Sequence, residues 1–529
     1  MMSGIESSFS RERLTSQHPQ KSQHDEHVDD SRRHWLSTIS LCLCSLANAF
    51  VIVSVFPYSG YMVLDLLPEK ATPESAGTYA GVLAASFMLG RFATAYSWGT
   101  IADTYGRVVC LQASMILSAI FSILFGLSTS YRMAILFRIC LGAANSVTST
   151  AKTLASEISP TEQLEQRAMG LVIGMRSWGF LLGPAIGGFL ADPVQQYPDA
   201  GSWLTGMQLV NEFPFILPNV LVAIFCILSS LSIYFFVDET LENRREWTLL
   251  SMSYTCYKDI RSGMKYLWKH VRSSLLSKPE HQNENAANTS AIGESSNLLP
   301  QQRQQSFSSH QSSSSVWGIP STREHLIVMW IFSFVVVVID EAFPLFSMST
   351  IGGLSLQESA IGKILSLAGV IFAAGQYVVY SAVIHRVGLY PAIVLGGFFG
   401  LVPAVLIPIS VYLQNHNQPR WMVHGYLSLL LGLSKIMACM CFSSLAIATN
   451  KTVPHHLRAK MNGIAVLGSS VAKGLGPLFA GALVSFSFSS IGVIPASYGS
   501  IIIFGTIGLL GVGASCLLSG LHSTNTNDD

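Results

Sequence analysis

The chain has 529 residues, half of them hydrophobic and only 12% charged, with a formal net charge of +1. A soluble domain carries about a quarter charged residues, so this balance excludes an ordinary soluble protein and offers no basic surface for nucleic acid. It fits an all-α polytopic membrane protein whose surroundings are the lipid bilayer.

A polar tail, residues 1–35, opens the chain. Twelve apolar runs follow, each long enough to cross a hydrocarbon core of ~30 Å as a helix. They cover roughly 36–62, 78–99, 108–128, 132–156, 167–191, 213–237, 325–348, 360–384, 389–413, 422–448, 460–486 and 497–519. The first run lacks a small-residue cleavage site and reads as a retained span, not a signal peptide. Lys and Arg gather before span 1 (Arg32, Arg33) and after spans 2, 8 and 10 (Arg107, Arg386, Lys451, Arg458, Lys460), while the opposite connections hold Asp65, Glu69, Glu74, Asp192 and Asp199. This asymmetry predicts that both termini are cytosolic. The cysteines lie mostly inside spans, with no pair in an external loop, which argues against a disulfide framework.

The predicted organisation is a six-helix bundle over 36–237, a cytosolic linker over 238–324, a second six-helix bundle over 325–519 and a short cytosolic tail, 520–529. Within the linker, residues 257–276 place Ile260, Met264, Leu267, Val271 and Leu275 at helical spacing with five Lys and Arg between them. That pattern suits either a basic helix on the inner leaflet or a solvated helix. Residues 277–315 are rich in Ser, Gln and Asn and are expected to lack fixed structure. They include "ESSNLL", Glu294 to Leu299, an acidic dileucine pattern that points to an endomembrane or vacuole-like destination. The halves repeat each other: Gly183-Pro184 returns as Gly476-Pro477, and Leu141-Gly142 as Leu431-Gly432, each about 290 residues later. A parallel repeat with a site between its halves is one architecture of secondary transporters.

"GTIADTYGR", with Gly99, Asp103, Gly106 and Arg107, falls in the connection between spans 2 and 3, and "VIHRVG" is its worn copy in the second half. With twelve spans and the repeat, this resembles the signature of the major facilitator superfamily. The resemblance implies the major facilitator fold, with this loop latching the two halves on the cytosolic side. Asp103 can then face the positive end of a helix in the other half, and Arg107 can pair with an acid such as Glu157. "SFMLGRFATAYSWGTIADTYGR", "NSVTSTAKTLASEI" and "SWGFLLGPAIGGFLADP" are similar to the zinc-induced facilitator-like branch, whose members move metal chelators and small organic ions. The branch's antiporter motif corresponds to Gly179, Gly183, Pro184, Gly187 and Gly188; glycines four apart make one smooth face, and Pro184 permits a bend. Two features of the branch are missing: a paired-cysteine motif near the start, and a histidine after span 6 where "DETLE" has Glu242. Both are potential metal ligands, so no metal site is expected.

Ionisable residues inside spans are costly and mark a pathway. Span 4 carries Arg138, Asn145 and Lys152, each seven residues from the next and hence pointing the same way along one line, and Arg138 in "RICLG" matches the span-four motif of the family resembled. Span 7 carries Asp340 and Glu341, span 10 Lys435 and span 11 Lys473; the resemblance places spans 1, 4, 7 and 10 around the central cavity. Arg91 and Arg176 sit on helices expected to pack partly against neighbours. Cations outnumber carboxylates here, which suits a small organic anion or zwitterion better than a bare divalent cation.

No GxxxxGK[ST] loop and no coherent nucleophile, base and oxyanion set occur, so neither ATP use nor enzymatic activity is expected, and no cofactor is implied. The expectation is a monomeric secondary transporter, working by alternating access as a proton antiporter on a small-molecule solute. A uniporter or symporter of the same fold, and a non-transporting nutrient sensor, are the rival readings.

Overall fold

In the computed structural model, residues 23–241, 244–262, 319–488 and 498–525 are described, apart from 70, 74, 198–207, 247, 249–250, 253, 260, 417 and 455–457. Twelve long helical elements follow one another, numbered here as spans: Gln23–Val53, Ala76–Tyr105, Arg107–Gly126, Tyr131–Ala143 with Val147–Glu157, Glu162–Leu190 and Ile216–Phe236 in the first half. Pro320–Met348, Glu358–Val387, Leu389–Gly397 with Leu401–Asn415, Arg420–Lys451, Arg458–Phe488 and Gly499–Asn525 form the second. Eleven helices among the described residues are long and apolar enough to cross a membrane. Span 2 falls short of that composition despite its 30 residues, being rich in Gly, Ala, Ser and Thr and carrying Arg91. Those small residues are what lets it sit between two neighbours at backbone distance.

Local chemistry explains the breaks. Span 1 ends at Val53 four residues before Pro57, and a short helix, Ser59–Leu66, resumes after the turn. Span 4 is interrupted at residues 144–146, and its freed groups are met by neighbours. Ser114 Oγ donates to the Ala144 carbonyl at 2.6 Å and accepts from the Ser146 N–H at 3.0 Å. Trp98 Nε1 donates to the Ala143 carbonyl at 2.7 Å. In span 9 a single turn of 3-10 helix, Phe398–Gly400, separates the two α-helical pieces.

Within the first half, span 1 packs on spans 5 and 6, span 2 on span 4, and span 3 on span 6; in the second, span 7 packs on 11 and 12, and span 10 on 8 and 9. The halves meet through two equivalent pairs, span 2 with span 11 and span 5 with span 8. Both pairs close at the end away from the Gly99–Arg107 loop. A Cβ on Gly81 would strike the Pro477 carbonyl and lie 3.2 Å from Gly481 Cα; one on Gly188 would lie 2.6 Å from the Glu358 carbonyl oxygen and 2.7 Å from Gly362 Cα. Ser485 Oγ accepts from the Thr78 N–H at 2.9 Å and donates to the Ser75 carbonyl at 3.1 Å. Tyr61 donates to the Leu356 carbonyl across the same seam.

The other end is open. Gly99 lies eighteen residues, about five turns, from Gly81 and so on the same face of span 2; Gly170 stands in the same relation to Gly188 on span 5. Neither Gly99 nor Gly170 has anything within 4 Å of the Cβ position. The halves therefore diverge from a sealed end towards the loop end.

Candidate functional site

Charged side chains from both halves converge midway along the spans. Arg91, Arg176 and Lys473 sit near the midpoints of spans 2, 5 and 11, and Arg91, Arg176 and Lys152 all act electrostatically on Lys473. Arg91 and Arg176 also act on Lys152, closing the set. Arg176 Nη1 donates to Thr148 Oγ1 at 2.7 Å, and Asn48 Nδ2 donates to the same hydroxyl at 3.2 Å. The carboxylate that reaches Lys473 is Asp340, and Asp340 is already held by Lys435 Nζ at 2.9 Å. Arg91, Lys152, Arg176 and Lys473 thus act on one another, and among the described residues the carboxylate acting on Lys473 is Asp340, itself paired to Lys435. Like charges held close to one another repel, so the arrangement favours a bound anion.

The sequence-derived set divides on the structure. Lys152, Lys473, Lys435 and Asp340 gather there; Arg138 does not. Arg138 and Asn145 are both taken up by span 1, whereas Lys152 joins Arg91, Arg176 and Lys473. Arg138 is 3% exposed and donates to the Val51 and Ile52 carbonyls at 3.1 and 3.2 Å, so it caps the end of span 1. The Phe87 and Phe125 rings lie 4.9 and 5.5 Å from its guanidinium carbon. Asn145 also turns to span 1, donating to Asn48 Oδ1. Glu341 is 3% exposed, and Asp340 and Arg138 are the charges that act on it. Arg91 and Arg176, placed by sequence on packing helices, belong to the cluster. Asn48 and Thr148 carried no sequence signal, since uncharged polar residues recur throughout these spans.

The antiporter-type glycines have two jobs. Cβ atoms on Gly179, Gly183 and Gly187 would all meet span 1, at Leu46, Ala49, Val53 or Ser54. Gly188, about 100° further round the helix, meets span 8 instead. Three glycines fix span 5 inside its own half, and the fourth forms the seal between halves.

At the loop, Arg107 Nη2 lies 3.2 Å from Glu157 and 3.3 Å from Asp103. The Asp103 side chain is 74% exposed, and among the described residues its ion-pair partner is Arg107 of its own half. Gly106 has φ +114°, a conformation that only glycine adopts cheaply. A Cβ there would also lie 2.6 Å from Glu239 Cδ. Glu239 accepts from the Arg107 and Val108 N–H groups at 2.8 and 3.0 Å, capping the positive end of span 3, while Thr240 donates to Glu157. The "DETLE" stretch therefore grips the loop through Glu239 and Thr240; Glu242 lies outside the described residues, as do residues 277–315 with "ESSNLL". Among the described residues no group of three or more His, Cys, Asp or Glu is placed to hold a metal ion.

The sequence profile of the Major Facilitator Superfamily matches residues 39–434. The chain is 30% identical over 475 residues to the protein Zinc Induced Facilitator 1 of Arabidopsis thaliana, covering 88% of each chain. It is 29% identical over 460 residues to the probable peptide/nitrate transporter of the same plant, covering 84% of this chain and 82% of that one. Among solved structures it is similar to a D-xylose–proton symporter, with a TM-score of 0.59 at 14% identity over 93% of this chain and 97% of that one. These relatives and neighbours are transporters, not enzymes, and with twelve helices in two repeated halves the chain belongs to the major facilitator superfamily.

Proposed function

We propose that this protein carries a small organic anion or zwitterion across an endomembrane or vacuole-like membrane by alternating access, as a monomeric proton antiporter. The loop end with Gly99–Arg107 is the cytosolic end, following the Lys and Arg asymmetry, and both termini lie on that side. The observation that carries the reading is the convergence of Arg91, Lys152, Arg176 and Lys473, with Asp340 already paired to Lys435. Arginine forks fit carboxylates bidentately, whereas a bare divalent cation would need converging oxygen, imidazole or thiolate ligands. Glu341, buried beside Asp340, is the group proposed to take up and release the proton. The relatives named for peptide or nitrate transport and for zinc induction are compatible with such a solute.

Flux into proteoliposomes tests this. With an imposed pH gradient, a carboxylate-bearing chelator should accumulate, and Lys473→Ala should lower its uptake at least about tenfold through loss of a charged contact worth ~1.5–3 kcal/mol. Uptake indifferent to the pH gradient would remove the antiport assignment. Robust transport of zinc without any chelator would overturn the solute class.

A further inference from the structure

Residues 244–262 form a feature that the transport cycle leaves unused. Arg245 N–H donates to the Thr104 carbonyl at 3.0 Å, tying the strand of chain after span 6 to the last turn of span 2. Helical turns then occur within 251–262. The Tyr105 hydroxyl reaches this segment twice, 3.0 Å from Thr255 Oγ1 and 3.2 Å from the Ser251 carbonyl. Met252 is 8% exposed and packs with Trp98, Ile101, Ala102, Tyr105 and Cys110, and Cys256 packs against the same group. One face of the helix is thus seated on the loop ends of spans 2 and 3, immediately before Gly106.

The opposite face has different chemistry. Tyr254, Tyr257, Lys258 and Arg261 fall at helical spacing within about 100° of one another, while Met252 and Cys256 lie on the far side. Tyr254 is 67% exposed and Tyr257 59%, and with Lys258, Arg261 and Ser262 they line a shallow pocket of about 260 Å³. Across 244–262, Arg244, Arg245, Lys258 and Arg261 outnumber Glu246 and Asp259. Tyrosines prefer the headgroup level of a bilayer, and Lys and Arg beside them attract anionic lipid. The helix sits at that level, because its seat is the end of two membrane spans.

We propose that residues 251–262 are an anchor for anionic lipid headgroups of the cytosolic leaflet, and that the anchor holds the loop between spans 2 and 3 through Tyr105. The inference rests on the cytosolic assignment of the loop end made above. Lipid bound at Lys258 and Arg261 restrains the helix, and the helix restrains Thr104, Tyr105 and the turn at Gly106. Membrane composition thereby regulates the segment that must move when the open end closes.

The test uses the full chain in lipid nanodiscs, where both faces meet the same lipid and neither orientation nor transport enters the readout. Hydrogen exchange is followed in discs of phosphatidylcholine alone and in discs with about one lipid in five replaced by phosphatidylserine. Amides of 251–262 and of 104–108 should exchange about tenfold more slowly with phosphatidylserine, and high salt should erase the difference. Lys258→Gln with Arg261→Gln should keep the fold, judged by unchanged exchange in the span interiors, and lose the lipid response. Equal exchange in the two lipids overturns the anchor, as does a lipid response that survives in the double variant. Protection of the helix without the loop overturns its hold on Tyr105. If soluble glycerophosphoserine protects the helix equally in phosphatidylcholine discs, the ligand is a free anion and the lipid assignment falls.

Discussion

Spans 2 and 5 each present two glycines eighteen residues apart on one face, and the members of each pair meet opposite surroundings. Gly81 and Gly188 touch the backbone of the other half; Gly99 and Gly170 face open space. A helix is a rigid rod of about 1.5 Å per residue, so contact at one end and a gap roughly 27 Å away describes two halves tilted about a seal. At the sealed end glycine is required by the contact present, whereas at the loop end its use belongs to the closed state that the proposed alternating access requires. The loop fits this view, since Asp103 is exposed and, among the described residues, pairs with Arg107 of its own half.

The sharpest test of the contrast is Gly188→Val. Its side chain would meet the Glu358 carbonyl oxygen and Gly362 Cα, both backbone atoms that cannot swing aside. Overpacking of this kind costs about 1–3 kcal/mol, so the sealed state should lose about ten- to a hundredfold in population. Alkylation of a cysteine placed at Ser485, inside the seal, should accelerate by a similar factor. Unchanged labelling would show that the seal does not depend on this contact.

Next in size is Arg138→Lys. The ammonium keeps the charge but cannot reach both the Val51 and Ile52 carbonyls in the guanidinium's geometry. Losing a buried charged hydrogen bond costs about 1.5–3 kcal/mol, which predicts a lower unfolding temperature together with flux reduced about tenfold or more. Full flux in this variant would leave the cap on span 1 without a part in transport.

Asp103→Asn should act the other way round, leaving thermal unfolding unchanged because the side chain is exposed, and slowing flux. A carboxylate facing a helix end contributes about 0.3–1 kcal/mol, hence a two- to fivefold effect. Wild-type flux would reduce the loop to a turn that merely orients two helices.

The smallest effect is expected at Gly99→Ala. Nothing lies within 4 Å of the added methyl, so thermal stability should match wild type, while flux falls by a few-fold as the open end closes on it. Gly188→Ala, by contrast, should lower the unfolding temperature. Equal responses at the two positions would erase the difference between the ends.

How much of the site could be read from sequence follows from what each signal encodes. Arg107 with Glu157 was legible, because both residues lie at loop ends of neighbouring helices and their charges are opposite. Glu239 was not, for it meets Arg107 and Val108 from 132 and 131 residues away, and only the path of the chain after span 6 brings it there. Arg91 and Arg176 were visible as charges but not as partners of Lys473, since periodicity gives a face and not the helix opposite. Span 4 misled more directly: seven-residue spacing made Arg138, Asn145 and Lys152 one set, but span 1 takes up Arg138 and Asn145 while Lys152 joins the other cations.

Hydropathy, charge asymmetry and the repeat are local or statistical properties of the chain, and by themselves they determined that it is a membrane protein of twelve helices in two halves, with a signature loop between spans 2 and 3. Which end is sealed, which glycines touch, and which cations share a space were decided only by the tertiary structure. The physical reason is that hydropathy and periodicity give each helix a face but not the partner opposite it, which depends on how the two halves tilt against each other. A particular tilt then selects the contacts, here backbone to backbone at Gly81 and Gly188 and empty space at Gly99 and Gly170.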